Sequence, residues 1–574
     1  MKPVRLPASA TLALPRLALF ALCILYILPG LIGRDPWKTD DAAGFGIMWT
    51  MAHGSIADWL WPNIVGLAMP DKGPLAFWMG ALCIKLFGWL VGDAMAARLA
   101  TIGFFLLGSL SIWYTTYLLG RRSETQPLKL AFGGQPEPND YGRTLADGAL
   151  LIYLGCLGLL LHSHETSAEA LQVSLVAMTL YAAVRLSDLP SARTALACGA
   201  TLGLLALTRG WVLPLGILLG MTLLATLLQR AVLRWLLMLS LPTALALTAS
   251  WPLLANVMQP YGGSPTSAWM DWNLEQIALP TLTGLKYFFR YGIWFAWPAW
   301  PFAGWAVYAW RKQYSALHIA LPLMFFVVVV LVALISPNHV EGILLPMLPP
   351  LAILAAFGLP TMKRGAINAV DWFAVMTLST SAAFIWIGWI AKQTGWPAQL
   401  ARNAFKLAPG FKPEFNGLAF IAAALATAAW VAVVHWRLSR RPSVLWRAVV
   451  LSTAGVILCW LLLMTLWLPW INYGKSYAGV AQQIALKLPG STECVDSNVG
   501  PTQRASFAYF GDVRFAPFNG GNCDYVLLQD SNRSSDSTDA LAPFGEGVRW
   551  TMLWEGRRPS DRDERFRLFQ RVER

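Results

Sequence analysis

The sequence predicts a polytopic α-helical membrane protein with a small α/β unit at its C-terminal end, and three observations predict it. Apolar residues make up 56% of the chain and charged residues only 13%, with a mean hydropathy of +0.50, outside the range of soluble globular chains. Apolar runs long enough, at about 1.5 Å per residue, to cross about 30 Å of hydrocarbon recur along the first four-fifths of the sequence. Beyond Trp470 the runs stop and polar residues take over.

The runs are 13–33, 95–119, 144–161, 168–186, 192–208, 211–228, 234–255, 288–309, 317–335, 342–359, 369–391, 416–435 and 446–469, about thirteen spans by length. A further apolar run, 75–91, is interrupted by Lys85 and two glycines and fits a helix lying along the membrane surface as well as a span. Loop charge separates the two, because short loops rich in Lys and Arg stay in the cytoplasm. With 75–91 left out, the N-terminus and the loops around Arg121–Arg122, Arg185, Arg230, Arg311–Lys312, Lys363–Arg364 and Arg437–Arg447 share one side. The opposite side receives 34–94, 162–167, 209–210, 256–287, 336–341, 392–415 and everything after Trp470. The loop charges therefore place the N-terminus on the cytoplasmic side and the C-terminal unit on the opposite side. No A-x-A-like site follows residues 13–33, so that run is expected to remain as the first span.

A net charge of +13 could suggest nucleic acid, but the basic residues are scattered over short loops and the tail. Membrane lipids, not nucleic acid, are the expected partners. Cys23, Cys83, Cys156, Cys198 and Cys459 lie in apolar runs, where a thiol packs as a small hydrophobe. Cys494 and Cys523 lie in the polar tail, where an oxidising compartment permits a disulfide.

That tail, 471–574, is domain-sized and reads as helix around 475–488 followed by strands at 493–497, 524–529, 548–554 and 566–572, with a polar, turn-rich loop at 530–541. The division expected is therefore a membrane domain over 1–470, with 34–94 as a large first loop, and a soluble α/β domain over 471–574.

Candidate chemistry lies where polar residues meet the expected outer face. Asp40 and Asp41 are adjacent, so on a helix their side chains point about 100° apart and serve different partners, one as base and one as positioner. A carboxylate beside a bilayer is pushed up in pKa, and a neighbouring negative charge pushes it further, which suits a group that takes a proton from a hydroxyl. Capping a helix over 42–51 is the plain alternative. Asp71–Lys72 precedes the apolar run 75–91, its lysine at headgroup level for an anion; simple interfacial anchoring is the alternative. Arg98 and Arg209 border spans on the side where arginine is disfavoured. Each calls for a partner, either a lipid phosphate or an internal acid such as Glu169 or Asp71.

His162–Ser163–His164–Glu165 has the residue types of a metal site, but i and i+2 do not share a helical face, and no second cluster matches. His339 and Glu341 place further titratable groups on the same side. No cofactor is named by these residues; a divalent cation is the single candidate.

Taken together, Asp40–Asp41, Met51, Asp58-Trp59-Leu60-Trp61-Pro62-Asn63, Gly66–Leu67, Asp71–Lys72 and Phe77–Trp78 resemble the first periplasmic loop of the integral-membrane GT-C glycosyltransferases. Within these, the lipid A aminoarabinose transferases and protein O-mannosyltransferases are the nearer kin. Arg98 opening a span, Leu207-Thr208-Arg209-Gly210, and Pro346 with Pro349–Pro350 extend the resemblance to about residue 360. It implies an inverting transfer of a sugar from a polyprenyl-phosphate donor, undecaprenyl phosphate in bacteria, to lipid A, a cell-envelope glycan or a protein. Asp40 is the matched acid; Lys72, Arg209, Arg98, Asp71 and His339 gather around the donor phosphate, and Glu169 and Glu341 lie toward the sugar or acceptor. The chain departs from the aminoarabinose transferases where Asp41-Ala42-Ala43 follows Asp40 in place of an Asp-Glu-Thr-Arg run, where Asp71 replaces a Glu, and where His339 and Ile343 replace a Lys and a Tyr. A lipid or ion transporter is the competing class, expected to show charges in mid-span and inverted repeats. A scaffold whose tail binds a partner is a third.

Overall fold

The computed structural model describes residues 4–572 apart from 13, 39, 130, 132, 260, 262–263, 338–339, 440–443, 491, 517–522, 532–540 and 545–547. The chain enters through α1 (Arg16–Ile27). The first large loop then folds into α2 (Asp40–His53), α3 (Ile56–Leu60), a hairpin of β1 (Asn63–Ile64) and β2 (Leu67–Ala68), and α4 (Leu75–Val91). Next come α5 (Asp93–Arg121), α6 (Pro138–Leu154), α7 (Leu157–His162), α8 (Ala168–Asp188), α9 (Ala192–Ala206), α10 (Val212–Leu228), α11 (Arg230–Trp235) and α12 (Leu241–Met258). The bundle continues with α13 (Pro265–Glu275), α14 (Leu282–Phe295), α15 (Ala299–Ala309), α16 (Leu317–Ile335) and α17 (Leu348–Gly358), which a 3₁₀ segment, Glu341–Met347, leads into. It closes with α18 (Arg364–Thr394), α19 (Ala398–Leu407), α20 (Gly417–Ser439), α21 (Arg447–Leu466) and α22 (Leu468–Lys475).

Among the described residues nine helices are long and apolar enough to cross a membrane, and α4, α9 and α10 are shorter apolar helices. Two expected runs are broken. The run 144–161 divides at Gly155–Cys156 into α6 and α7, and 288–309 divides before Ala299 into α14 and α15, where Pro298 lacks a backbone donor and disfavours helix in the residue before it. The breaks meet, because the Leu157 N–H donates to the Trp297 carbonyl at 3.1 Å. At the centre α17 is buried at every residue, as expected of a helix apolar all round. It packs on α5, α6, α8, α15 and α16. Helices α18, α20 and α21 form a separate apolar cluster around Trp389, Trp430 and Leu458.

The C-terminal unit holds α23 (Ala478–Ala485), β3 (Val495–Ser497), α24 (Pro501–Gly511), β4 (Tyr525–Ser531), β5 (Trp550–Gly556) and β6 (Glu564–Arg571). Its sheet runs β3-β4-β6-β5. β3 is parallel to β4, joined to it through α24, and the other pairs are antiparallel, with Tyr525 opposite Gln570 and Ser531 opposite Glu564. Each strand overlaps a run expected from the sequence, while most of the turn-rich loop at 530–541 lies outside the described residues. A disulfide joins Cys494 to Cys523, just ahead of β3 and β4.

This unit is docked on the first loop through α24. A Cβ at Gly46 of α2 would lie 2.4 Å from that of Ala505, so the contact requires glycine there. Phe45 and Tyr509 meet edge to face at 4.8 Å. The Arg504 guanidinium donates to the carbonyls of Ile64 and Val65. Val65 has a φ of +47°, a conformation costly for a β-branched residue. Thr50, whose hydroxyl accepts from the Val65 N–H at 3.1 Å, and Arg504 hold that turn from both sides.

Candidate active site

The adjacent aspartates at the head of α2 part company. Asp41 turns inward, with its side chain only 1% exposed, and its Oδ2 lies 2.8 Å from Arg34 and 3.9 Å from Arg98. It also accepts from the Trp37 N–H at 3.1 Å, the Thr166 N–H at 2.9 Å and the Thr166 hydroxyl at 3.0 Å. Burial alone would push this carboxyl up, but Arg34, Arg98 and the two backbone donors hold it below its usual range. Arg34 in turn lies over the Trp37 ring at 3.9 Å. Asp41, expected as base or positioner, faces protein on all sides and joins α2 to the 162–167 loop. The same holds for Arg98. Its side chain is 3% exposed and donates to the carbonyls of Leu31 and Arg34, so it takes the internal acid, not a lipid phosphate, as partner.

Asp40 turns the other way, its carboxylate half exposed and 3.8 Å from the Lys72 ammonium. Lys72 is the hub. It lies 3.3 Å from Asp71 and 3.6 Å from Glu169, and Glu169 is 3.1 Å from the Arg209 guanidinium. Backbone bonds join two of the segments that meet here: the N–H groups of Gly73 and Leu75 donate to the carbonyls of Thr208 and Leu207, each at 3.2 Å. A Cβ at Gly73 would fall 2.3 Å from the Leu207 carbonyl oxygen, so the loop can approach only with glycine there. Burial is the largest influence on Asp40 and raises its pKa, Glu169 and Glu165 raise it further, and Lys72 and Arg209 oppose them without winning. For Lys72 burial works downward, yet Glu169, Asp71 and Asp40 hold the ammonium above its usual value. The cluster therefore keeps its cations charged and its outermost carboxylate basic.

Glu169, expected toward the sugar or acceptor, lies between the two cations with its side chain 5% exposed. Beside it His162 Nδ1 bonds Glu165 at 2.8 Å and His162 Nε2 lies 3.8 Å from Glu341. Burial would lower this imidazole, but the two glutamates raise it to about 10. Glu341 is half exposed. His164 departs from the group: it is fully buried, bonded to the carbonyls of Leu160 and Tyr26, and burial lowers it to about 4. The candidate metal set His162, His164 and Glu165 is thus split, and no group of three His, Cys, Asp or Glu that could hold a metal ion is found among the described residues. His339 lies outside the described residues.

Behind Arg209 a narrow crevice of about 60 Å³ is lined by Gln172, Trp272, Asn273, Gln276 and Ser336, residues the sequence reading passed over. Asn273 is fully buried and accepts from the Trp211 N–H at 2.9 Å, while Trp269 donates to the Arg209 carbonyl at 3.2 Å. These hold the arginine's loop in place. The uncharged side chains of the run 256–287 carry no charge that would mark them in the sequence. On the other flank of the same loop an apolar groove of about 500 Å³ runs between Trp211, Leu218, Leu245 and Trp269.

A helical bundle, a first loop carrying an acid and cations, and a small sheet docked on that loop are the parts that make up this fold. The chain is similar to ArnT from Cupriavidus metallidurans bound to undecaprenyl phosphate, with a TM-score of 0.63 over 96% of this chain and 97% of that one at 17% identity. Against the apo state of the same protein the TM-score is 0.61, over 96% of each chain at 18% identity. No family model matches the sequence, and no curated protein matches it. The likeness is therefore one of fold.

Proposed function

We propose that this chain is an inverting glycosyltransferase that takes a sugar from a polyprenyl-phosphate donor and passes it to a hydroxyl on an acceptor such as lipid A, a cell-envelope glycan or a protein, at the periplasmic side of a bacterial inner membrane. The observation that carries the reading is the convergence of Asp40, Lys72, Glu169 and Arg209, with an apolar groove on the far flank of the Arg209 loop. A charged cluster and an apolar groove on two flanks of one loop suit an amphiphile that enters from the bilayer. The solved relative of the same fold that holds undecaprenyl phosphate supports that donor class. The disulfide Cys494–Cys523 supports an oxidising compartment for this face.

In the reaction the bond from the anomeric carbon to the donor phosphate breaks while a bond to the acceptor oxygen forms. Lys72 and Arg209 meet the negative charge that grows on the leaving phosphate, an interaction stronger in the transition state than before it. Glu169 sets the spacing of the two cations. Asp40, with its pKa raised, accepts the proton of the attacking hydroxyl from the opposite face of the sugar. Glu341 and His162 line the opening where the sugar or acceptor would lie.

The test is release of polyprenyl phosphate by purified protein in detergent, offered a set of polyprenyl-phosphate sugars and acceptors. Asp40→Asn should lower turnover at least about a hundredfold, the lower range of general-base contributions, without loss of fold. Turnover equal to that of the native chain would remove Asp40 from the chemistry. No turnover with any donor would favour the transporter.

A further inference from the structure

The segment 392–415 carries Lys392, Arg402, Lys406 and Lys412 against a single carboxylate, Glu414. It lies at the site's end of the bundle: the Tyr473 hydroxyl donates to the Pro409 carbonyl at 2.8 Å, and one residue earlier Asn472 donates to the Gly33 carbonyl at 2.9 Å. Four cations there run against the charge bias of the other loops at this end. Three of them, Lys392, Arg402 and Lys406, line a cavity of about 450 Å³ between the end of α18, α19 and Trp470. Among the described residues none of the three forms an ion pair with a carboxylate. Lys392 donates to the Leu466 carbonyl at 3.2 Å and lies 4.9 Å from the Trp467 ring, so its charge is positioned but not neutralised.

The rim is apolar. Phe405 in the lining is 60% exposed, and Trp396 in the turn just before α19 is 74% exposed, large apolar surfaces of the kind that mark a membrane or partner contact. On α19 the residues Gln399, Arg402, Asn403 and Lys406 recur at helical spacing, so polar and apolar residues divide between opposite faces, the pattern of a helix lying in a membrane interface. Charge selects an anion and the apolar rim selects a chain attached to it.

We propose that this cavity docks the phosphate of an anionic bilayer lipid, at a second lipid site apart from Asp40, Lys72 and Arg209. Arg402 and Lys406 supply the long-range attraction, and Lys392 at the floor of the cavity fixes the headgroup's depth.

Native mass spectrometry of the full chain, titrated with phosphatidylglycerol or with phosphatidylcholine of the same acyl chains, tests it. Phosphatidylglycerol should bind the native chain at least about tenfold more tightly, and Arg402→Gln with Lys406→Gln should weaken it about thirtyfold, the effect of removing two interfacial cations. Both positions are exposed, and the charge-keeping pair Arg402→Lys with Lys406→Arg should bind as the native chain does. Equal binding of the two lipids, or a double Gln variant that binds like the native chain, would overturn the proposal. Displacement of the lipid by glycerol phosphate alone would also overturn it, by showing a site for a free phosphate ester. Asp40→Asn should retain this binding in full, so failure of the lipid site and failure of the transferase reading are told apart.

Discussion

Two sets of carboxylates and cations sit on either side of one helix turn, and they differ in what surrounds them. Around Asp41 the partners Arg34 and Arg98 are protein-bound and sealed. Around Asp40 the partners Lys72, Glu169 and Arg209 are linked to one another, and Asp40 itself is half exposed. The composition of the two is nearly the same. Access separates them: a closed set can only hold elements together, whereas an open set can exchange one of its ions for a ligand. Burial also pushes both carboxyls in the same direction, and the number of cations and N–H donors decides the outcome, lowering Asp41 and raising Asp40.

The largest effect should come from breaking the closed set. Asp41→Ala leaves Arg34 and Arg98 buried without their acid, a change that costs about 3–5 kcal/mol when one partner of a buried pair is removed. Thermal unfolding in detergent should show a strongly destabilised or unexpressed protein, while Asp40→Ala should unfold near the native temperature. The sign with pH follows from the lowered carboxyl: Asp41 stabilises fully above the unfolded carboxyl's value and loses that contribution as pH falls through its own lower value. The gap between native and Asp41→Asn stability should therefore narrow in acid. A native protein and an Asp41→Ala variant of equal stability would mean the knot is not what joins α2 to the 162–167 loop.

The open set is sharpened next by pH. If Asp40 is the proposed base it acts in its ionised form, so turnover should rise with pH through its value, which burial and its acidic neighbours place above the usual carboxylate range. Lys72 is the main group pulling that value down. Lys72→Met should shift the acid limb of the kcat/KM profile to higher pH and lower its plateau by about a hundredfold, the scale of losing one charge stabiliser at a reacting centre. A plateau that falls with no movement of the limb would place Lys72 at the phosphate alone, out of electrostatic reach of Asp40.

Much of this molecule is legible in local pattern. The spans follow apolar run length, and the four strands of the C-terminal sheet follow short β-rich runs. Asp40, Lys72 and Arg209 stand out because charge at a membrane face is costly without a partner. What local pattern does not carry is pairing across the chain. The break in 144–161 is tied to that in 288–309 by a hydrogen bond between Leu157 and Trp297, and neither run signals the other. Helix α24, whose docking depends on Gly46 and on a strained Val65 far earlier in the chain, has a pattern too mixed to announce itself. Asp41 and Arg98 read as site residues because sequence shows charge and position but not closure. The same charge that marks a catalytic group marks a buried strut.

The smallest effect is expected where the open set meets the C-terminal unit. Lys38, two residues before Asp40, lies 3.6 Å from Asp561, with side chains 41% and 28% exposed. Asp561 is lowered despite burial by the N–H groups of Asp563 and Glu564 and by Arg558, with Lys38 the last contributor. An exposed pair of this kind contributes about 0–1 kcal/mol, and the position of the first loop rests instead on buried contacts: Trp37 and Asn472 at 2.8 Å, and Arg504 on the Val65 carbonyl. Lys38→Ala should leave stability within about 1 kcal/mol and turnover within about twofold of the native chain, an effect that high salt should not enlarge. A tenfold loss would show that the C-terminal unit acts on Asp40 through this surface contact, and the boundary drawn here between sealed struts and open chemistry would have to include it.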